Sequence, residues 1–200
     1  MADADKFFFN KIVAGGGTWC CAYDPETKRQ NSEWVGEKLK LQGPRIKTIL
    51  IFFFNSQGVM HKEFVPEGKT INAGFYKGVM DRLLKRIRRV LPTAFCSRDF
   101  VLLHDNAPAH KAASFCQFLT PQNVTTIYHP PYSPVLSPPD CFLFPKLKMK
   151  LKGLHFADVA EIQEAVIDKL KKVQKEEFLA AFQKLYDRAK ACIYVTGAYF

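Results

Sequence analysis

Two acids in this 200-residue chain stand in settings that suit metal chemistry. Asp105 ends the apolar run Val101-Leu102-Leu103-His104, the pattern of a buried strand. A carboxylate delivered by a strand end is held more rigidly than one on a loop, and a metal site needs that rigidity. Asp140 follows Tyr132-Ser133-Pro134 and Pro138-Pro139, at the start of a helical stretch containing Phe142, Leu143 and Phe144. Each acid also has an ordinary reading: Asp105 as a cap or surface acid, Asp140 as an N-terminal helix acid complementing the helix dipole. Spacing alone does not choose between them. Other constellations are weaker. His104, Asp105, His110 and His129 match no common zinc spacing, and Ser133 lies in no Gly-x-Ser-x-Gly elbow. Lys146, Lys148, Lys150 and Lys152 alternate with Leu147, Met149 and Leu151. A strand would align these lysines and a helix would scatter them. Beside Asp140 they are candidates for phosphate contact, against the plain alternative of a solvated surface.

The elements that must position these residues follow from the hydrophobic pattern. Lys11 to Tyr23 reads as an apolar hairpin broken by Gly15, Gly16 and Gly17, followed by a polar connection from Asp24-Pro25 to about Lys40. Thr48 to Phe54 is a continuous apolar run, expected as a strand buried on both faces. Asn55 to Gly58 is a turn, and Val59 to Val65 a second strand. Asn72 is placed to cap a helix in which Phe75, Tyr76, Val79, Met80, Leu83, Leu84, Ile87, Val90 and Leu91 recur at helical spacing, with Pro92 as its stop. The opposite face carries Lys85, Arg86, Arg88 and Arg89, either solvated or set against DNA. Further strands are expected at Phe100 to His104 and Val124 to Tyr128, with a helix from about Lys111 to Leu119 between them. Two amphipathic helices close the chain, one lined by Val159, Ile162, Val166, Leu170 and Val173, the other by Phe178, Phe182, Leu185, Ala189 and Ile193. Strands first, then alternating strand and helix, predict an α/β fold with a mixed sheet flanked by helices.

The segment from Val101 to His110, with His104-Asp105-Asn106-Ala107-Pro108-Ala109-His110 at its centre, resembles the motif around the second catalytic aspartate of mariner-family DNA transposases. His129-Pro130-Pro131-Tyr132-Ser133-Pro134, then Ser137-Pro138-Pro139-Asp140 and Leu143-Phe144-Pro145, resembles the motif carrying the third. The family separates these aspartates by 34 residues, and 34 lie between Asp105 and Asp140 here. Trp19, Tyr23 to Gln30 and Glu33-Trp34-Val35-Gly36-Glu37 are similar to the stretch after the family's first aspartate. The resemblance covers essentially the whole chain and extends to the transposase part of methyltransferase–mariner fusion proteins. It implies a ribonuclease H-like fold in which three aspartates hold two divalent cations, normally Mg2+ with Mn2+ as substitute. Phosphodiester cleavage or strand transfer needs an activated water or 3′-hydroxyl and a stabilised leaving oxygen, which two cations about 3.5–4 Å apart supply. Carboxylates suit a hard cation such as magnesium.

One departure bears directly on the chemistry. Where the family carries a Gly-Asp-Glu-Thr-Trp-like motif, this chain reads Gly15-Gly16-Gly17-Thr18-Trp19. Gly16 stands in place of the first aspartate, and glycine has no side-chain ligand. A unit negative charge removed from about 4 Å forfeits on the order of 4 kcal/mol per unit cation charge at an effective dielectric near 20. That is roughly a thousandfold in occupancy, so Mg2+ or Mn2+ at Asp105 and Asp140 is expected to bind weakly if at all. Asp3, Asp5 and Asp24 are not well placed as substitutes. The family's N-terminal helix-turn-helix DNA-binding region has no counterpart in residues 1–200, which read as a single catalytic domain. The connection after Glu37 looks shorter than the family's.

Composition agrees with a DNA partner. The chain has 29 Lys and Arg against 19 Asp and Glu, for a formal net charge of +10, an excess that suits a polyanion. The longest apolar run, Ile49 to Phe54, is far short of a membrane span of roughly 20 residues. The N-terminal residues show no signal-peptide pattern, and six cysteines without a Cys-x-x-Cys pair suit a reducing compartment. The expected setting is the nucleus, with a homodimer as one possible state. Three functional readings follow: a catalytically dead transposase-derived domain, a non-catalytic nucleic-acid-binding or interaction module, and a live nuclease with an altered metal site. Gly16 argues against the last.

Overall fold

A computed structural model describes residues 6–22, 32–35, 38–41, 46–90, 92, 100–122, 124–129 and 133–194. A short helix α1 (Lys6–Lys11) leads into β1 (Ile12–Cys21), then β2 (Ser32–Val35), β3 (Lys38–Leu41), β4 (Lys47–Asn55) and β5 (Gly58–Phe64). After helix α2 (Ala73–Val90) come β6 (Val101–His104), α3 (Pro108–Lys111), α4 (Ala113–Leu119) and β7 (Thr125–Tyr128). A π-helical turn (Pro139–Leu143) runs directly into α5 (Phe144–Leu151), and α6 (Val159–Lys171) and α7 (Lys175–Tyr194) follow. No helix among the described residues is long and apolar enough to cross a membrane.

The main sheet has the order β5-β4-β1-β6-β7. The β1–β4 and β4–β5 pairs are antiparallel, while β1–β6 and β6–β7 are parallel. The alternation of side chains along each strand sorts the core into two layers. On one face Ile12, Ala14, Phe52, Phe54 and Leu103 meet α5, α6 and α7 through Phe144, Leu147, Ile162, Val166, Phe178 and Phe182. On the other, Val13, Ile51, Phe53 and Leu102 meet α2 and α4 through Val79, Met80, Leu83, Leu84, Ile87 and Phe115. Leu50 to Phe54 are buried at every position, as the unbroken apolar run predicts for a strand covered on both sides.

The remaining expectations divide by region. The Asn72 carboxamide accepts the Phe75 N–H at 2.8 Å, capping α2, and Gly58 takes the positive φ that its turn demands. Of the expected Lys11–Tyr23 hairpin, Ile12–Cys21 is instead one strand, because Gly15, Gly16 and Gly17 pair continuously with Phe53, Phe52 and Ile51, while Tyr23 lies outside the described residues. The expected polar connection to Lys40 contains the β2–β3 hairpin, and its first part, with Asp24, lies outside the described residues, as do Asp3 and Asp5. Ile193 is exposed rather than part of the lining of α7.

The three glycines are not equivalent. A Cβ on Gly15 would drive into the Phe53 ring, closer than real Cβ contacts come, whereas one on Gly17 would find only the Leu50 carbonyl at 3.8 Å. Overpacking typically costs about 1–3 kcal/mol, while replacing a strand glycine by alanine where space allows gains roughly 0.5–1 kcal/mol. Gly15→Ala is therefore expected to lower unfolding free energy in urea by about 1–3 kcal/mol, and Gly17→Ala to leave it unchanged or raise it. Equal effects at the two positions would contradict this placement of β1.

Candidate active site

The parallel pairing of β1 with β6 builds the site. Its register joins Ile12 to Val101, Val13 to Leu102 and Ala14 to Leu103; carried two residues further, it sets Asp105 beside Gly16. The third position arrives from the π-helical turn. A Cβ on Gly16 would lie 3.0 Å from Pro139 Cβ and 3.2 Å from Phe144 Cε2, so the residue preceding Asp140 packs directly against the glycine. Buried His129 feels the charge of both Asp105 and Asp140; burial lowers its pKa and the two carboxylates oppose that. The strand end, the turn and the glycine strand thus bring Asp105, Asp140 and Gly16 to one place.

Asp105 is firmly held. One of its carboxylate oxygens accepts the Ala107 N–H at 3.0 Å and lies 2.7 Å from His110 Nδ1. His110 is buried and stacks on Tyr76 with ring centroids 3.8 Å apart. His104, fully buried, brings its Nδ1 to 3.0 Å from the Asp105 carbonyl oxygen. Burial works to raise the Asp105 pKa, but the hydrogen bonds from His110 and Ala107, with the charges of His110 and His104, hold it below its ordinary value. Burial, with the neighbouring charge of His110, pushes the His104 pKa down to about 4. Burial and the charge of Asp105 push that of Tyr76 up. Asp140 is exposed, and its Oδ2 accepts the Ser137 hydroxyl at 2.6 Å. A cavity of about 330 Å³ opens beside Asp105, lined also by Gly17, Trp19, Ile51, Tyr76 and His110.

The four lysines lie on and just beyond α5, so the helix scatters them. Lys146 is turned inward to an ion pair with Glu177 on α7 and lies 5.9 Å from the Phe142 ring centroid. Lys148, Lys150 and Lys152 are exposed. Sequence reasoning missed His110 and Ser137 as the groups that hold the acids, and Tyr76 as the ring stacked on His110. The signal for His110 lay in Pro108, which starts a helical turn and so brings His110 back over the strand end.

The donor set does not suit a two-cation centre. Asp105 and Asp140 offer carboxylates, Gly16 and Gly17 offer no side chain, and no group of three His, Cys, Asp or Glu suited to a metal ion occurs among the described residues.

Strand order, flanking helices and the convergence of these three positions define a ribonuclease H-like catalytic fold. A family model described as DDE superfamily endonuclease matches residues 26–163. The Mariner Mos1 transposase of Drosophila mauritiana is 26% identical over 198 residues, covering 97% of this chain and 57% of the relative. The histone-lysine N-methyltransferase SETMAR of Homo sapiens is 24% identical over 200 residues, covering 96% of this chain and 29% of the relative. The chain thus spans little more than half of one relative and under a third of the other. Among solved structures, a pre-cleavage Mos1 transpososome superposes with a TM-score of 0.83 at 26% identity, over 98% of this chain and 58% of that one. The isolated Mos1 catalytic domain gives 0.79 at 25% identity, over 98% of this chain and 86% of that one. The chain therefore belongs to the DDE superfamily of endonucleases, as a catalytic domain of the mariner transposase type.

The clamp on Asp105 has a pH consequence. A carboxylate whose folded pKa is depressed contributes stability that is present above its unfolded pKa of about 4 and lost as pH falls through the folded value. His110→Ala is expected to move the Asp105 titration, followed by carboxyl carbon NMR, to higher pH and to flatten the acid-side loss of stability. An unchanged Asp105 titration would contradict the role given to His110.

Proposed function

We propose that this chain is a mariner transposase catalytic domain that has lost its first cation ligand and does not cut or join DNA at an appreciable rate. The observation that carries this reading is Gly16 itself, lining the same cavity as Asp105 and with Pro139 and Phe144 against the space an aspartate side chain would enter. In a complete site two cations would activate the attacking oxygen and stabilise the leaving one. Mos1 has been solved as a paired-end complex with Mn and with Mg. Here Asp105 and Asp140 supply ligands for at most one cation held weakly, and the chain's own residues only fix Asp105 against His110 and Asp140 against Ser137. Duplex DNA is the partner this reading assigns, with the nucleus as its place and a homodimer as one state it could take on DNA. A non-catalytic nucleic-acid-binding module is the second reading, favoured by exposed Lys148, Lys150 and Lys152 on and just beyond the helix that follows Asp140.

A supercoiled-plasmid nicking assay with Mg2+ or Mn2+ tests the first reading. The expected result is no activity above that of Asp105→Ala. Robust turnover by the native chain that Asp105→Ala abolishes would overturn it. Restoring the acids as Gly16→Asp with Gly17→Glu is expected to bring back metal-dependent nicking. Because Pro139 and Phe144 must yield to the new side chain, the cost in stability is about 1–3 kcal/mol.

A further inference from the structure

The sheet edge farthest from Asp105 carries a concentration of positive charge that the catalytic fold does not use. Lys62 lies on β5, the outermost strand on that side, opposite Phe52 of β4, which in turn pairs with Gly16. Two strand spacings separate Lys62 from Gly16, about 10 Å, and Asp105 lies on the other side of β1. The same face as Phe52 is covered by α6, whose last turn brings Lys169 and Lys171. From the opposite face α2 is tied to the strand by Arg82, whose guanidinium grips Glu63 at 2.6 and 3.0 Å. One turn further along α2 on the same side comes Arg86, which is exposed. Lys171 and Arg86 lie near enough to Lys62 that their charges, added to its partial burial, depress its pKa.

The acids nearby are already engaged. Glu63 is held by Arg82 and His61, and Asp168 by Lys172 at 2.8 Å and Lys169 at 3.8 Å. No ion pair involves Lys62, Arg86 or Lys171 among the described residues. Asp168 is shared among Lys172, Lys169 and the charge of Lys171, so the three cations, drawn from three different elements, keep an excess of positive charge; they repel one another, and a bound polyanion relieves that repulsion. The helix dipole accounts for lysines at the end of α6, and an edge-strand lysine also guards against strand-to-strand aggregation. Neither reason accounts for Arg86, or for the three charges meeting.

Resting on duplex DNA as the partner proposed above, we propose that Lys62, Arg86 and Lys171 form a second contact surface for its phosphate backbone, on the β5 edge and separate from the Asp105–Asp140 site. The three long side chains come from a sheet edge and two helices, so they suit a backbone passing along the edge rather than a small anion in a pocket. It reads charge and not sequence, since phosphate contacts carry no base information. It lets the chain hold DNA whether or not the carboxylates bind a cation.

The experiment is fluorescence anisotropy of the full chain with a labelled mixed-sequence duplex across a range of NaCl concentrations, without divalent cations. Each lost phosphate contact lowers the slope of log K against log salt by roughly 0.9. K62Q/R86Q/K171Q is expected to lower the slope by about two to three and to weaken binding in low salt. R86Q/K171Q, which leaves the strand residue in place, is expected to lower it by about two. K148Q/K150Q/K152Q, on and just beyond α5, serves as the comparison, and circular dichroism melting checks that each variant is folded. Folded R86Q/K171Q with the native affinity and slope would overturn the proposal. So would a triple variant whose only change is aggregation, since that assigns Lys62 to edge protection alone.

Discussion

The parallel pairing of β1 with β6 is the interaction on which the rest of the structure depends. It fixes which residue of β1 faces the end of β6, and so fixes what stands beside Asp105. A slip of one residue would turn every side chain of the strand to the other face, exchanging the two core layers. That slip is prevented from both sides. Ile12 and Ala14 are committed to the layer of α5, α6 and α7, and Val13 to the layer of α2 and α4. The Phe53 ring, lying against Gly15, leaves no room for a side chain there. The position beside Asp105 is therefore held by packing rather than by metal chemistry, and it is in place although glycine there has no side-chain ligand.

This separation between fold and chemistry explains how the molecule keeps so complete a scaffold. The core is built from buried aromatic and aliphatic side chains; Phe54, for example, meets Phe178 and Phe182 at centroid distances of 5.4 and 5.8 Å. None of these contacts requires an acid at position 16. A glycine there removes a charge from the site and lets Pro139 and Phe144 pack close to the strand. Carboxylates gathered without a cation repel one another, so losing one also relieves strain in the metal-free state. The remaining acids are held by neighbours of the chain's own making, Asp105 by His110 and Ala107, and Asp140 by Ser137.

Much of this was legible in the sequence, for identifiable reasons. The β4 run and the helices α2, α6 and α7 carry strong periodicity, and periodicity reports burial directly. Asp105 and Asp140 stood out through their flanking motifs, whose types and spacing are unusual enough to mark a place in a fold. The triple glycine misled, because glycines signal turns while here they pass through mid-strand, tolerated where Phe53, Pro139 and Phe144 fill the space they leave. The β2–β3 pair was missed because each strand is only four residues long, too short for its alternation to stand out from a connection. His110 and Tyr76 could not be paired from the sequence, since their contact depends on α2 and α3 meeting across the second core layer. The alternating lysines of residues 146–152 fit strand and helix alike in the sequence, and the helix decides the matter by turning Lys146 inward to Glu177.

The central claim is that the site has lost the ligand that a pair of cations would share. Titration of the native chain with Mn2+, followed by electron paramagnetic resonance of the free ion, measures this without reference to catalysis. The account predicts at most one weak site per chain, abolished in Asp105→Asn. Two tightly bound ions per chain, both lost in that variant, would contradict it.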